Sequence, residues 1–508
     1  MKPSGDKASG FQWLLLISVF IVATCGLIYE LVAGTLASYL LGDSVTQFST
    51  IIGTYLFAMG IGSYLSRFMK NHLLSWFISI ELLVGMVGGF SAGILFVVFE
   101  QVVYFRVILY TLVILTGTLV GLELPLLMRI LKDRIEFSDL VSRIFTFDYI
   151  GALFASLLFP LLFIPYLGLL RTSFFFGFLN VVVAWIVAYR FQYEIRSYSR
   201  LKWSAIVCLL FLAAGFIASE KLTAFAESLT YPDKVVYAKS SPYQRIVLTK
   251  SQMDWRLFLN GNLQFSSADE YRYHEALIHP GLSRLNHPEK VLVLGGGDGM
   301  AVREILKYPT LKSITLVDLD KAMTDLFQSN TTLTRLNSNS LASGKVKVIN
   351  TDAFVWIRES KEHFDFIVVD FPDPSNYSLG KLYTVSFYRE LQRLLNTTGC
   401  LVVQSTSPYV ACKSFWIVDE TLKYTGLYTE PYHCYVPSFG EWGFVMASKK
   451  PLVNNYHFPN GLRFLNEETA RQMKVFPPDM IVRGSPHNTL NNQVLVNTFE
   501  KEWAYYTR

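Results

Sequence analysis

The sequence predicts a multi-span α-helical membrane domain followed by an α/β domain on a parallel sheet, with a small β-hairpin subdomain where the two meet. Three observations predict it. Long apolar stretches fill positions 1–220, period-two strand patterns begin near position 235, and from Lys290 short apolar strands alternate with helix-length segments.

The apolar stretches lie at approximately 12–36, 47–66, 73–99, 103–128, 148–167, 170–189 and 203–219. Each is near the roughly 20 residues that a helix needs to cross a bilayer core, so about seven spans are expected. Glycine recurs in GIGSY, GMVGGFSAG and GTLVG, which suits close approach of helix backbones in lipid. Lys2 and Lys7 precede the first stretch as in a signal peptide. From Phe11 to Leu41, however, that stretch is far longer than an h-region, and it reads as a retained helix.

Composition agrees: 51% of the 508 residues are hydrophobic and only 17% are charged, which excludes an ordinary soluble chain. The net charge of +5 comes without a basic patch and argues against a nucleic-acid partner. Cys25, Cys208, Cys400, Cys412 and Cys434 are scattered, with neither a disulfide framework nor a metal-ligand spacing, so no metal is expected.

Glu30, Glu81, Glu123 and Asp148 fall within or beside the apolar stretches, where a carboxylate is costly and turns to the bundle interior, a cation or a wet cavity. They read either as a polycation path or dock for a membrane-embedded acceptor, or as a structural network or interfacial position. Lys and Arg concentrate at the N-terminus and after the second, fourth and sixth stretches (Arg67, Lys70, Arg129, Lys132, Arg190 and Arg196 among them), which places the N-terminus in the cytoplasm. Complete crossing by all the stretches would put the α/β domain outside.

Beyond the helices, turn signals such as Asn260-Gly261-Asn262 between apolar runs mark a small β subdomain over 232–280. Over 281–450, KVLVLG, SITLVDLD, KVKVIN, FDFIVVD and CLVVQS read as strands separated by helices, the pattern of a parallel sheet. The Pro- and Asn-rich stretch 451–508 reads as an extension packed on that domain.

The segment from Val291 to Gly299, VLVLGGGDG, ends a buried strand and opens a helix. Gly295, Gly296 and Gly297 let the backbone turn sharply and approach a ligand closely, or merely make a tight turn. Asp318 ends the next strand, about twenty residues on, where an acid can accept from ribose hydroxyls. Asp352 ends the third strand and Asp370 the fourth. Open parallel sheets bind ligands beyond the carboxyl ends of their strands, so Asp298, Asp318, Asp352 and Asp370 are expected to line one crevice. Such a crevice disfavours a pyrophosphate cofactor and favours a cationic substrate, such as a sulfonium nucleoside with amine partners.

Tyr243-Gln244, LNGNLQ (Leu259 to Gln264), DEYRYHE (Asp269 to Glu275), GGGDG (Gly295 to Gly299), VDLD (Val317 to Asp320), TDA (Thr351 to Ala353) and DFPDP (Asp370 to Pro374) together resemble the polyamine aminopropyltransferases, the spermidine synthase family. The resemblance covers about residues 235–450. CGLIYEL (Cys25 to Leu31), YLLGDS (Tyr39 to Ser44), LELPLL (Leu122 to Leu127) and DYIGAL (Asp148 to Leu153) resemble its membrane-bound bacterial branch. The resemblance implies a Rossmann-like fold of the class I methyltransferase type. It also implies attack by a di- or polyamine on decarboxylated S-adenosylmethionine, with release of methylthioadenosine; that nucleoside is a co-substrate, and no cofactor is implied.

By the same resemblance, Asp318 holds the ribose, Asp352 the adenine amine and Asp298 the terminal amine of the aminopropyl group, while Gly295 and Gly297 shape the nucleoside loop. Asp298 would attract an ammonium and repel the carboxylate of ordinary S-adenosylmethionine. Asp370 orients and deprotonates the attacking amine. Tyr243, Gln244, Tyr273 and His274 close over the substrates, and Asp373 binds the acceptor's amine or serves the turn between Pro372 and Pro374. The sequence departs from the family pattern in three ways: Phe371-Pro372 follow the catalytic aspartate, Met300 ends the glycine motif, and Phe439 stands where tyrosine is usual.

Two other functions fit the residues: an S-adenosylmethionine-dependent methyltransferase or other sulfonium-cleaving enzyme, and a non-enzymatic polyamine transporter or sensor. The expected partners are a small polyamine and membrane lipid, with a homodimer left open. The expected location is the cell membrane, with the catalytic domain cytosolic because the nucleoside is made there; that requires one stretch not to cross, whereas the alternatives are a donor that reaches the other face or a different donor.

Overall fold

The computed structural model describes residues 5–41, 44–99, 104–132 and 136–506, so Gly42 and Asp43 of the YLLGDS motif lie outside the described residues. The chain forms two compact units, Met1–Asp233 and Lys234–Arg508.

The first unit contains α1 (Gly5–Leu41), α2 (Ser44–Leu65), α3 (Leu73–Phe99), α4 (Phe105–Leu131), α5 (Phe137–Leu158), α6 (Ile164–Arg190) and α7 (Tyr198–Thr230). Among the described residues, six helical runs are long and apolar enough to cross a membrane. The count differs from the seven stretches in hydropathy because the fifth and sixth lie in one 54-residue run, Phe137–Arg190. That run contains a π-helical turn at Phe159–Phe163 and a break at Gly168, whose φ of 72° suits glycine. Unbroken, it would extend about 80 Å, against a hydrocarbon core of about 30 Å, so the break divides it into two arms.

α1 packs against α2, α3, α4, α5 and α6 and forms the centre of the unit. The Tyr55 hydroxyl of α2 donates to the Gly26 carbonyl of α1 at 2.9 Å. α3 and α6 touch backbone to backbone: a Cβ on Gly85 would lie 2.7 Å from the Gly177 carbonyl oxygen, and one on Gly177 would lie 2.5 Å from that of Gly85. Larger side chains would push these helices apart.

The second unit opens with a four-stranded antiparallel sheet, β1 (Lys234–Ser240), β2 (Arg245–Ser251), β3 (Asp254–Leu259) and β4 (Asn262–Ser266), in sequential order. Asn260 (φ 50°) and Gly261 (φ 81°) make the two-residue turn between β3 and β4, a pairing whose positive φ values match the twist of a hairpin. α8 (Glu270–Leu282) leads into the main sheet.

That sheet contains β5 (Lys290–Gly295), β6 (Ser313–Asp318), β7 (Val346–Asn350), β8 (Phe364–Asp370), β9 (Leu395–Gln404), β10 (Tyr428–Val436) and β11 (Gly440–Ser448). Its order is β10-β11-β9-β8-β5-β6-β7, with β9 to β7 parallel and β11 antiparallel to both neighbours. This is the Rossmann-like, class I methyltransferase-type arrangement. From β5 the chain builds outward through β6 and β7, then returns to place β8 on the other side of β5. The order therefore reverses between β5 and β8, and a ligand crevice belongs beyond their carboxyl ends.

Buried Leu, Ile, Val and Phe on both faces of β5 and β8 join two cores, one under each helical layer. The final stretch lies on this unit: the Glu275 carboxylate accepts from the backbone N–H groups of Arg463, Phe464 and Leu465, and buried Asn488 donates to the carbonyls of Gly380 and Tyr383.

Candidate active site

Register sets the heart of the crevice, since Gly295 at the end of β5 is the ladder partner of Asp370 at the end of β8. A Cβ on Gly295, with φ of 81°, would lie 2.2 Å from the Asp370 carbonyl oxygen, so only glycine lets the two strand ends approach this closely. The chain then passes through Gly296 and Gly299, also at positive φ, into the helix α9 (Met300–Ile305). Asp298 Oδ1 accepts from the Met300 N–H at 2.8 Å and so sits just ahead of that helix.

Asp318 is held by its neighbours on both oxygens: Oδ2 accepts from the Gly297 N–H at 3.1 Å and Oδ1 from the Asp320 N–H at 2.8 Å. Burial raises its carboxyl to about 6, with the charges of Asp320 and Asp298 adding to the rise and those two backbone donors opposing it. Asp320 ties in Gln244, whose amide donates to Asp320 Oδ2 at 2.9 Å, and Ser241, whose hydroxyl donates to the same oxygen at 2.6 Å. Gln244 thus reaches Asp318 and the glycine loop through Asp320. Tyr243 beside it is exposed.

On the other side of the crevice, the Tyr273 hydroxyl of α8 donates to Asp370 Oδ1 at 2.5 Å. Burial pushes Asp370 up to about 6; His274 pulls it down, Asp298 pushes it up and the Tyr273 hydrogen bond pulls it down. Burial and the Asp370 charge keep the Tyr273 phenol protonated, which makes it the donor. His274, almost wholly buried, places Nδ1 2.7 Å from Glu270 Oε2. Burial opposes its charge, but Glu270, Asp298 and Asp370 together outweigh burial and raise its pKa. The acids around it thus favour the charged form of this imidazole more than its burial opposes it. Burial likewise raises Asp298, and His274 tempers that rise.

Asp373 Oδ1 accepts from the Gln404 amide at 3.3 Å, and burial lifts its carboxyl to about 7 against the hydrogen bonds of Gln404 and Thr406. Phe439 stands beside the Tyr273 ring at 6.2 Å and beside Trp442 at 5.3 Å, so rings wall this side of the crevice. Asp352 lies one strand beyond Asp318. Its Oδ1 caps the helix Ala353–Glu359 by accepting from the Phe354 and Val355 N–H groups, and its Oδ2 accepts from Lys381 Nζ at 2.7 Å. Lys381 and these backbone donors hold the Asp352 carboxyl below its ordinary range, although burial alone would raise it.

Asp298, Asp318, Asp370, Tyr273, His274 and Asp373 thus surround the ends of β5, β6 and β8, with Gln244 joined through Asp320 and Asp352 at the margin. Four contributors were not singled out from sequence. Lys381 and Gln404 hold Asp352 and Asp373, while Glu270 and Arg303 form a bidentate pair at 2.9 Å behind His274. Gln404 carried a usable signal, since it ends an apolar strand as Asp370 does. Glu270 falls inside the DEYRYHE motif, but its buried partner Arg303 is 33 residues away.

The spermine/spermidine synthase domain matches residues 270–457. A polyamine aminopropyltransferase of Leptospira interrogans is 52% identical over 97% of this chain and 99% of its own length. The chain belongs to the polyamine aminopropyltransferase family. A second aminopropyltransferase, from Ralstonia nicotianae, is 52% identical over 96% of this chain and 98% of its own, and one from Oceanobacillus iheyensis is 40% identical over 99% of each. These aminopropyltransferases align through the helical unit as well as the α/β unit. A solved spermidine synthase in complex with the transition state analogue AdoDATO is 24% identical, with a TM-score of 0.46, over 48% of this chain and 86% of that one.

Proposed function

We propose that the α/β unit transfers the aminopropyl group of decarboxylated S-adenosylmethionine to a di- or polyamine, with Asp370 as the base. The observation that carries this reading is the convergence of buried carboxylates beyond β5 and β8, with Tyr273 fixing one oxygen of Asp370. Asp318 binds the ribose, Asp352 the adenine amine and Asp298 the terminal ammonium of the donor. Asp373 and the ring wall around Phe439 receive the acceptor.

The acceptor nitrogen attacks the methylene beside the sulfonium; a C–N bond forms as the C–S bond breaks, and the bonding pair returns to sulfur, giving neutral methylthioadenosine. The nitrogen must shed a proton to act as a nucleophile. An alkylammonium has a pKa of about 10.4, so an aspartate at its ordinary value faces a gap of more than six pH units. Burial of Asp370 to about 6 narrows that gap. Each unit removed lowers the cost of proton transfer by about 1.4 kcal/mol. The negative crevice also concentrates both cationic substrates.

Asp298 favours the decarboxylated donor, because the carboxylate of ordinary S-adenosylmethionine would meet it with like charge. The test incubates purified protein with each donor and a panel of amines and identifies the nucleoside by mass spectrometry. Methylthioadenosine with the decarboxylated donor is expected; S-adenosylhomocysteine from ordinary S-adenosylmethionine would overturn the reading in favour of methyl transfer.

Six long apolar helical runs support a location in a membrane, and we infer that the α/β unit faces the cytosol, where the nucleoside is made. The broken run Phe137–Arg190 is where one arm re-enters without crossing. Protease access to the α/β unit in inside-out vesicles, but not in spheroplasts, is the result this requires.

A further inference from the structure

The acids of the helical unit are not equivalent. Glu81 of α3 and Glu123 of α4 are fully buried and lie against one another, and among the described residues neither carboxyl has a hydrogen-bond partner or ion pair outside the pair. Half-buried Asp148 of α5 is within electrostatic reach of Glu123, so acids lead from the edge of the unit toward its interior.

Two more polar groups are equally buried. The Tyr29 hydroxyl of α1, with the residue 2% exposed, and the Asn180 carboxamide of α6, with the residue 0% exposed, have no hydrogen-bond partner among the described residues. Tyr29 is within electrostatic reach of both glutamates. Asn180 is brought to them by register. α3 and α6 run antiparallel, because Gly85 meets Gly177 while Ser173, one turn earlier on α6, donates to Gly88, later on α3. Asn180 Cβ lies 3.4 Å from where a Cβ on Gly85, one turn from Glu81, would stand, and the Tyr29 ring packs at Gly88 one turn further on. Four helices therefore bring unsatisfied polar atoms to one stretch of α3, from Glu81 to Gly88, whereas buried polar groups in folded proteins are normally partnered.

We propose that this stretch is a binding site for a protonated primary amine, distinct from the acceptor position in the α/β unit. An ammonium offers three N–H donors and no acceptor, and the two carboxylates, the Asn180 carbonyl and the Tyr29 oxygen supply acceptors. Its charge meets two carboxylates that no side-chain cation neutralises. The packing admits only a slim chain, since even a Cβ on Gly88 would lie 2.6 Å from the Tyr29 ring. That the amine is a polyamine rests on the aminopropyltransferase reading.

Equilibrium binding of labelled putrescine to the full chain in nanodiscs tests the site. Wild type is expected to bind a second amine per chain, and a Glu81→Gln/Glu123→Gln variant to lose it with methylthioadenosine release unchanged. Tyr29→Phe, which preserves the packing, is expected to weaken the second site about tenfold, the effect of losing one hydrogen bond to a charged group. A single bound amine in wild type, a second site insensitive to these variants, or displacement by sodium but not by other primary amines overturns the proposal. Two bound amines without turnover would reject the catalytic reading alone; turnover with one bound amine would reject this one alone.

Discussion

Tyr273 and Asp370 form a fixed pair across the crevice, with the phenol donating to one carboxylate oxygen at 2.5 Å and leaving the other free to take a proton. The hydrogen bond favours the ionised acid, so its loss in Tyr273→Phe raises the Asp370 pKa above about 6. A base works only when ionised, so turnover of wild type falls as pH drops through that value, and the variant loses activity at higher pH. The expected decrease at neutral pH is about tenfold or more, the worth of a hydrogen bond to a charged group. Profiles of kcat/KM against pH check this; coincident acid limbs for the two proteins would remove Tyr273 from the account.

Gly297 leaves room for Asp318. A Cβ there would lie 2.7 Å from Asp318 Oδ2 and 2.8 Å from its Cγ, while the backbone conformation at Gly297 is one that alanine tolerates. Gly297→Ala is expected to fold, displace the ribose acid and raise the donor KM at least about tenfold, as the loss of a charged hydrogen bond does. Donor titrations at saturating amine measure it, and an unchanged KM would mean that Asp318 does not hold the donor.

Lys381 competes for the oxygen of Asp352 that the adenine amine would use. Both side chains are about one-third exposed, so the ion pair is worth roughly 0.2–1 kcal/mol. Lys381→Met is therefore expected to lower the donor KM by less than about fivefold with kcat unchanged. A rise in KM would instead assign Lys381 to holding the carboxylate in its binding position.

Glu270 joins His274 to Arg303 in the interior behind the crevice. Burial alone would raise its carboxyl, but the hydrogen bonds and charges of His274 and Arg303 outweigh burial and hold it near 2. The stability it contributes is fully present above the unfolded value near 4.5 and is lost as pH falls toward 2. Glu270→Gln removes one of the two carboxylates that hold Arg303, whose Nε keeps Glu304 Oε1 at 2.9 Å, and is expected to cost about 1.5–3 kcal/mol in unfolding of the α/β unit, the worth of hydrogen bonds to charged groups. Chemical denaturation at neutral pH measures the loss, and a change below about 1 kcal/mol would mean that the pair carries no net stability.

Much of this site can be read from sequence because chemistry-bearing acids end apolar runs. Asp318 and Asp370 terminate SITLVD and FDFIVVD, and parallel strands carry such termini to one edge. The glycines before Asp298 are legible for the same reason, as a strand ends there and a helix begins. Lys381 was not legible as a partner of Asp352, since 29 residues and an irregular segment separate them, and only the fold brings them together. Gln404 escaped because its amide looks inert, although its position at the end of β9 obeys the rule that found Asp370. In the helical unit, hydropathy located the apolar stretches but carried no sign that two of them form one run, because Gly168 is a break only through its backbone angles.

The most direct measurement is single-turnover release of methylthioadenosine by wild type and Asp370→Asn, with donor affinity measured in parallel. Removal of a general base costs about 10²–10⁴ in rate, so the variant should bind decarboxylated S-adenosylmethionine normally and release the thioether slower by that factor. Equal rates at equal donor affinity would contradict the claim that Asp370 deprotonates the attacking amine.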